Sequence, residues 1–204
     1  MKKSIILIAA MFMTSVMTFA QKVIRVSTDK TDLVMKVSPK GRLYQVYLGD
    51  KFLNPADYDN LKWDVYAASD GAVCQRGHEV YATSGAEDYF EPAVAVTHAD
   101  GNMTTYLYYQ SSEQKAVEGG TETVITLKDK VYPLTVKLHY VAYAKENVIK
   151  AWSEISHKEK APITLWRYSS TMLYFKSSKY YLTNYHSDWA KEGQPETTQL
   201  STGK

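Results

Sequence analysis

Leu134-Thr135-Val136-Lys137-Leu138-His139-Tyr140-Val141-Ala142 alternates with period two, setting Leu134, Val136, Leu138, Tyr140 and Ala142 on one face and Thr135, Lys137, His139 and Val141 on the other. That period is the mark of a strand with one buried face. It recurs outward in both directions, over 23–27, 33–38, 43–48, 92–98, 104–110, 121–127, 148–156, a bent or broken 163–175, and 180–185. The punctuation is turn chemistry: Pro39-Lys40-Gly41, Ala99-Asp100-Gly101-Asn102, Glu118-Gly119-Gly120 and Asp129-Lys130. An Asp-Gly pair is a strong hairpin signal because both central residues of a type I′ turn need positive φ. No amphipathic helix appears beyond the first twenty residues, and many short strands without βαβ alternation predict an all-β antiparallel β-sandwich. The exception is 54–85, a long, weakly periodic segment of the kind that carries function or reaches toward another domain.

The first residues address the compartment. Lys2 and Lys3 precede an apolar run, Ile5 to Met13, too short to span a bilayer, and Thr18-Phe19-Ala20 offers a small-residue cleavage site before Gln21. A signal peptide over 1–20 is expected, followed by one domain over 21–204, exported to the periplasm or the medium. The residue after the cleavage point is Gln21 and not a cysteine, so no lipid anchor is indicated, and no membrane span follows. Lys2 and Lys3 also supply the whole formal excess of +2, leaving the mature chain neutral. A neutral chain without a basic stripe is a poor nucleic-acid binder, and without blocks of like charge it has no electrostatic hold on a membrane. Cys74 stands alone. It forms no internal disulfide and reads as a small buried hydrophobe, so stability must come from apolar burial.

Motifs for chemistry are sparse. The histidines His78, His98, His139, His157 and His186 lack ligand spacing, so neither a metal nor any other cofactor is expected. There is no phosphate-cradling glycine pattern and no nucleophile elbow. Carboxylate pairs exist at Asp57 with Asp59, Glu87 with Asp88, and Asp188 with Glu192. A retaining glycosidase needs two carboxyl groups about 5–5.5 Å apart, and solvated turns account for these pairs. The aromatic tail is more pointed: Lys179-Tyr180-Tyr181-Leu182-Thr183-Asn184-Tyr185-His186-Ser187-Asp188-Trp189-Ala190-Lys191-Glu192 interleaves rings and charges. Flat rings stack on the apolar face of a pyranose while carboxylates take its hydroxyls, and the same pattern also suits a well-filled strand before a polar turn.

Several stretches carry a resemblance. Glu79-Val80-Tyr81 through Gly85-Ala86-Glu87-Asp88 to Glu91-Pro92-Ala93, then Ala99-Asp100-Gly101, is similar to a family pattern of Glu-Tyr, Gly-x-x-Asp, Glu-Pro-Ala and an Ala-Asp-Gly hairpin. Tyr106 to Tyr109 and Leu134 to Tyr140 match its paired strands. Leu182 to Glu192 is similar to its Leu-x-x-Phe/Tyr-x-Gly-x-Trp-x-x-Glu box, with Ser187 where glycine is commoner. In order and spacing these resemble the N-terminal β-sandwich domain, of supersandwich type, of the glycoside hydrolase family 36 α-galactosidases, the bacterial melibiase-like enzymes.

The resemblance implies a parent that is a retaining, exo-acting α-galactosidase, removing terminal α-linked galactose from oligosaccharides or galactomannan side chains. It implies that the catalytic aspartates lie on a (β/α)₈ barrel after this domain, so no catalytic residue is assigned here, and that the parent is a homo-oligomer. In the family a loop after an early strand approaches a neighbouring active site. The loop at Asn54-Pro55-Ala56-Asp57-Tyr58-Asp59-Asn60 follows Tyr47-Leu48-Gly49 in the same way. Asp57 and Tyr58 are therefore candidate substrate contacts, with an Asx-capped turn as the plainer reading. Asp188 and Trp189 are candidates for sugar contact or, by preference, for domain-interface packing. The sandwich is expected to be incomplete at its C-terminal end, leaving an open edge and an uncovered apolar face. A stand-alone carbohydrate-binding or structural β-sandwich is the alternative.

Overall fold

A computed structural model of the chain describes residues 22–62, 78–85, 91–175 and 179–200. The expected leader, Cys74 and the Glu87–Asp88 pair lie outside them. Eleven described strands and one helical turn follow in order: β1 (Val23–Ser27), β2 (Thr31–Val37), β3 (Leu43–Asp50), α1 (Asp57–Asn60), β4 (Val94–Thr97), β5 (Leu107–Val117), β6 (Gly120–Asp129), β7 (Leu134–Tyr143), β8 (Val148–His157), β9 (Thr164–Tyr168), β10 (Tyr180–His186) and β11 (Gln194–Leu200). They form antiparallel sheets ordered β1-β2-β3, β5-β6-β7-β8, β4-β9 and β10-β11. The architecture is an all-β sandwich.

The alternation in β7 does what it predicts. Leu134, Val136, Leu138, Tyr140 and Ala142 are all buried, and they share one core with Ile125 and Leu127 of β6, Ile24 and Val26 of β1, Leu33 and Met35 of β2, and Val94 and Val96 of β4. Each such side chain contributes about 1.5–3 kcal/mol of burial, which fixes the register, since a one-residue slip would turn the apolar set to solvent. The opposite face of β7 departs from simple alternation. His139 and Val141 are buried too, because the Trp152 ring stacks on His139 at 4.7 Å and Lys115 reaches across to Glu122 at 2.8 Å, roofing the outer face with long side chains.

β5 runs past the predicted end at Gln110 to Val117, although Ser111-Ser112-Glu113-Gln114-Lys115 has no apolar alternation. A bulge between Tyr109 and Ser111 flips the parity, so that Tyr109 pairs Leu127 before it and Ser112 pairs Ile125 after it. Gln114, opposite the buried Thr123, consequently faces inward. The turn from β1 to β2 is tied to the turn from β7 to β8: the Asp29 N–H donates to the Ala144 carbonyl at 3.1 Å, and the Thr28 hydroxyl donates to Asn147 Oδ1 at 2.5 Å.

The segment 78–85 is fastened to both layers. Val80 N–H donates to the Leu43 carbonyl, Ala93 N–H to that of Ala82, and Thr83 bridges Val94. Gly85 ends the segment at φ +75°, where an added Cβ would lie 2.8 Å from the Thr104 Cα. Gly85→Ala combines a left-handed backbone with a backbone clash, so it should cost about 1–3 kcal/mol. A lowered unfolding midpoint in urea, with unchanged circular dichroism at low denaturant, is the expected result.

Candidate functional site

The loop after β3 folds onto the outer face of the β1-β2-β3 sheet and makes a second, small core of Val34, Val46 and Tyr58, flanked by Val23, Tyr47, Phe52 and Leu61. Rings build it: Tyr47 and Phe52 lie 4.4 Å apart, and Phe52 and Tyr58 5.0 Å. The Asn54 side chain accepts the Ala56 N–H at 3.1 Å, an Asx turn that starts α1. Lys36, buried at 1% exposure, donates to the carbonyls of Asp59 at 3.2 Å and Leu61 at 2.6 Å, so its ammonium satisfies the end of that turn. Burial pushes Lys36 below the usual lysine range, with the Asp59 charge pulling the other way.

Asp57 and Tyr58 are adjacent but differently placed. Asp57 sits exposed in the first turn of α1, while the Tyr58 ring is buried beneath it. The Tyr58 hydroxyl donates to Asp32, whose other carboxylate oxygen is buried without a hydrogen-bond partner among the described residues, and the Arg25 guanidinium stands over the Tyr58 ring at 4.6 Å. Burial first, then the Asp32 hydrogen bond, raises the Tyr58 phenol above its ordinary value. Tyr58 thus anchors the loop from below, and Asp57 is the member of the pair presented to solvent.

Asp188 and Trp189 occupy the turn between β10 and β11. The Asp188 carboxylate accepts the Trp189 N–H at 2.7 Å, Ala190 adopts φ 59°, and the Lys191 N–H closes the turn on the Asp188 carbonyl at 2.9 Å. Trp189 is 92% exposed. The ring is carried on a tight, hydrogen-bonded turn and covered by nothing among the described residues.

Between β3 and the base of β10 lies a cavity of about 260 Å³ lined by Gln45, Tyr47, Tyr174, Phe175 and Tyr180, with Val46 and Leu48. Gln45 holds its far wall in both directions, its amide donating to the Tyr174 carbonyl at 2.6 Å and accepting the Tyr174 N–H at 3.2 Å. Sequence reading singled out Tyr180 but not Gln45, Tyr47, Tyr174 or Phe175, since nothing in the one-dimensional pattern joins 45–48 to 174–180. Beyond the cavity, Trp166, Tyr168, Phe175, Tyr181, Tyr185 and Trp189 all stand exposed along β9, β10 and their connections. Trp166 and Tyr168 stand two apart on β9, and Tyr181 and Tyr185 share one face of β10, the period-two spacing of rings that a covered sheet face carries. Among the described residues no group of three His, Cys, Asp or Glu side chains could hold a metal ion, and no helix is long and apolar enough to cross a membrane.

The comparisons with known proteins agree on one lineage. The chain is similar in structure to the α-galactosidase of Lactobacillus brevis, with a TM-score of 0.75 and 21% identity over 91% of this chain. It is also similar to the α-galactosidase AgaA of Geobacillus stearothermophilus, with a TM-score of 0.76 and 23% identity over 89% of this chain. A variant of AgaA in complex with raffinose gives 0.75 and 22% over 89%. This chain spans 28% of the length of each of those structures. No curated protein matches it. Residues 41–204 match the glycosyl hydrolase family 36 N-terminal domain, and on that match the chain belongs to glycoside hydrolase family 36, whose N-terminal β-sandwich domain it carries.

Proposed function

We propose that this chain is the non-catalytic N-terminal portion of a secreted, retaining α-galactosidase that releases terminal α-linked galactose from oligosaccharides or galactomannans. The observation that carries the reading is the family match over 41–204 in a chain whose aromatic strip, from Trp166 to Trp189, stands uncovered. The strip is the seat for the catalytic barrel. Trp189, raised on its turn, is an interface anchor there. In this reading Asp57, exposed on α1, is the carboxylate that accepts hydroxyl hydrogens from a sugar held by a neighbouring subunit, while Lys36 and Tyr58 keep the loop in place. Lys2, Lys3 and the Thr18-Phe19-Ala20 site support export with cleavage after Ala20.

The test is hydrolysis of nitrophenyl α-galactoside by the full-length polypeptide that carries this chain. Nitrophenol release with retained anomeric configuration is expected, with none from the β-anomer and none from the 204-residue chain alone. Asp57→Ala should raise KM several-fold with little change in kcat, the signature of lost ground-state binding. An unchanged KM would remove Asp57 from the site, and no release by the full-length polypeptide would sink the galactosidase reading. In that event the alternative, a stand-alone carbohydrate-binding or structural sandwich, would rest on the aromatic cavity at Gln45 and Tyr47.

A further inference from the structure

A cleft outside that surface, of about 580 Å³, runs along β1 and is lined by Lys22 to Ser27, Ser112 to Gln114, Thr121, Thr123 and Ala142. Its origin is a mismatch of widths. The three-stranded sheet ends at β1, whereas the facing four-stranded sheet continues beneath it to β5. Among the described residues, β1 has a ladder partner on one side only. The Val37 N–H donates to the Lys22 carbonyl, so Lys22, Ile24 and Val26 make the hydrogen-bonded pairs with β2. The N–H and C=O groups of Val23, Arg25 and Ser27 therefore point the other way, into the cleft. One of them is already engaged: Gln114 Nε2 donates to the Arg25 carbonyl at 2.8 Å and to Thr123 Oγ1 at 2.9 Å. A side-chain amide stands where a neighbouring strand's N–H would stand.

The geometry points to a vacant strand position: the cleft beside β1 takes a separate, extended polypeptide, added as a fourth strand to β1-β2-β3. The chemistry of that segment follows from the walls. Its inward side chains meet Ser112, Gln114, Thr121 and Thr123 and must be small and polar. The residue opposite Arg25 shares the outward face with the guanidinium and is acidic. A sugar is the poorer fit, because no aromatic ring lines this cleft. A second copy is poorer still, because antiparallel pairing of two β1 strands about their centre sets Arg25 against Arg25, and like charges directly opposite repel. Main-chain pairing supplies affinity in such strand addition and the alternate side chains supply selectivity.

The probe is acetyl-Val-Thr-Glu-Thr-Val-amide, added to the full-length polypeptide, with hydrogen exchange of the segment 22–28 read by mass spectrometry. Saturating peptide should slow exchange there at least tenfold. The same peptide N-methylated at glutamate lacks the N–H that meets the Arg25 carbonyl and should have no effect. Gln114→Ala removes the competing amide and should lower the half-saturating concentration several-fold, which a purely stabilising role for Gln114 does not predict. Arg25→Glu should abolish the response and a lysine-centred peptide should restore it, so a loss of binding is separable from a loss of folding. The proposal is overturned by no slowing at millimolar peptide or by equal slowing with the methylated form. Protection already present without peptide, protection that rises with protein concentration, or protection given by raffinose instead would overturn it as well, pointing to the protein's own chain, a second copy or a sugar.

Discussion

Arg42→Ala should destabilise the domain by about 3–5 kcal/mol, the cost of losing two charge-assisted hydrogen bonds in a nearly buried ion pair. Arg42 Nε and Nη2 donate to the two oxygens of Glu79 at 2.6 and 2.7 Å, a fork in which both side chains are nearly buried. The guanidinium also stands 5.6 Å from the Tyr106 ring and 5.5 Å from the Tyr108 ring. Burial works against this charge, yet the Glu79 carboxylate holds the guanidinium above its already high pKa. Removing Arg42 takes both hydrogen bonds of the fork from a nearly buried carboxylate, and Glu79 is held in place by its bridge to Tyr44 at the edge of β3. Native-state hydrogen exchange at the β6 and β7 amides reads the loss directly, and those amides should exchange about two to four orders of magnitude faster. Replacing both partners together, Arg42→Met with Glu79→Leu, should recover most of the stability. A single substitution that leaves β6 and β7 exchange unchanged would show the pair to be incidental.

Glu159→Ala is expected to cost about 2–4 kcal/mol, because the buried His98 ring loses its carboxylate partner and the exposed Ala99 N–H loses its acceptor. Glu159 Oε1 lies 2.8 Å from His98 Nδ1, and its Oε2 accepts the Ala99 N–H at 2.8 Å; His98 Nε2 meets Thr105 Oγ1 at 3.0 Å. The His98 ring, wholly buried, stacks on Tyr132 at 3.5 Å, and the Tyr132 hydroxyl donates to Asp100 at 2.9 Å. One carboxylate thus joins the turn after β4 to the chain after β8. Burial pushes the Glu159 carboxyl up, but the His98 and Ala99 contacts outweigh it and hold the group below the ordinary value of 4.5. A depressed carboxyl stabilises the fold fully above its unfolded pKa and loses that contribution as pH falls through the lower folded value. Wild type and Glu159→Gln should therefore differ in stability at neutral pH and converge on acidification below about 4.5. A difference that stays constant into acid would detach the carboxylate from the effect.

Legibility in the sequence followed apolar contrast. β1 was delimited from sequence at its observed ends, and β7 to within one residue, because each presents buried residues every second position against polar neighbours. The end of β5 and all of β11 escaped, since Ser111 to Ala116 and Gln194 to Leu200 are polar strands whose only assignment to a sheet comes from the partner they pair with. Pro195 in β11 argues further against a strand, and the edge position is what permits it. The family likeness was readable because its motifs sit where local geometry is strict: Gly85 at positive φ, Glu79 in the Arg42 fork, and Asp100-Gly101 in a turn with Gly101 at φ 88°. The orientation of Tyr58 was not, because its burial depends on Phe52, Arg25 and Asp32 arriving from three separate stretches.

Among the described residues, the ribbon of β10 and β11 pairs with itself and with no other strand, and nearly all of it is exposed. A two-stranded ribbon holds only marginally on its own in water, so its persistence depends on a body seated against it. Exposed Lys179 and Lys191 stand before its first strand and in its turn, where a trypsin-like protease would cut once the ribbon frays. Limited digestion with trypsin therefore reports on the ribbon's cover: a shielded ribbon should resist cleavage at these lysines and a bare one should be clipped.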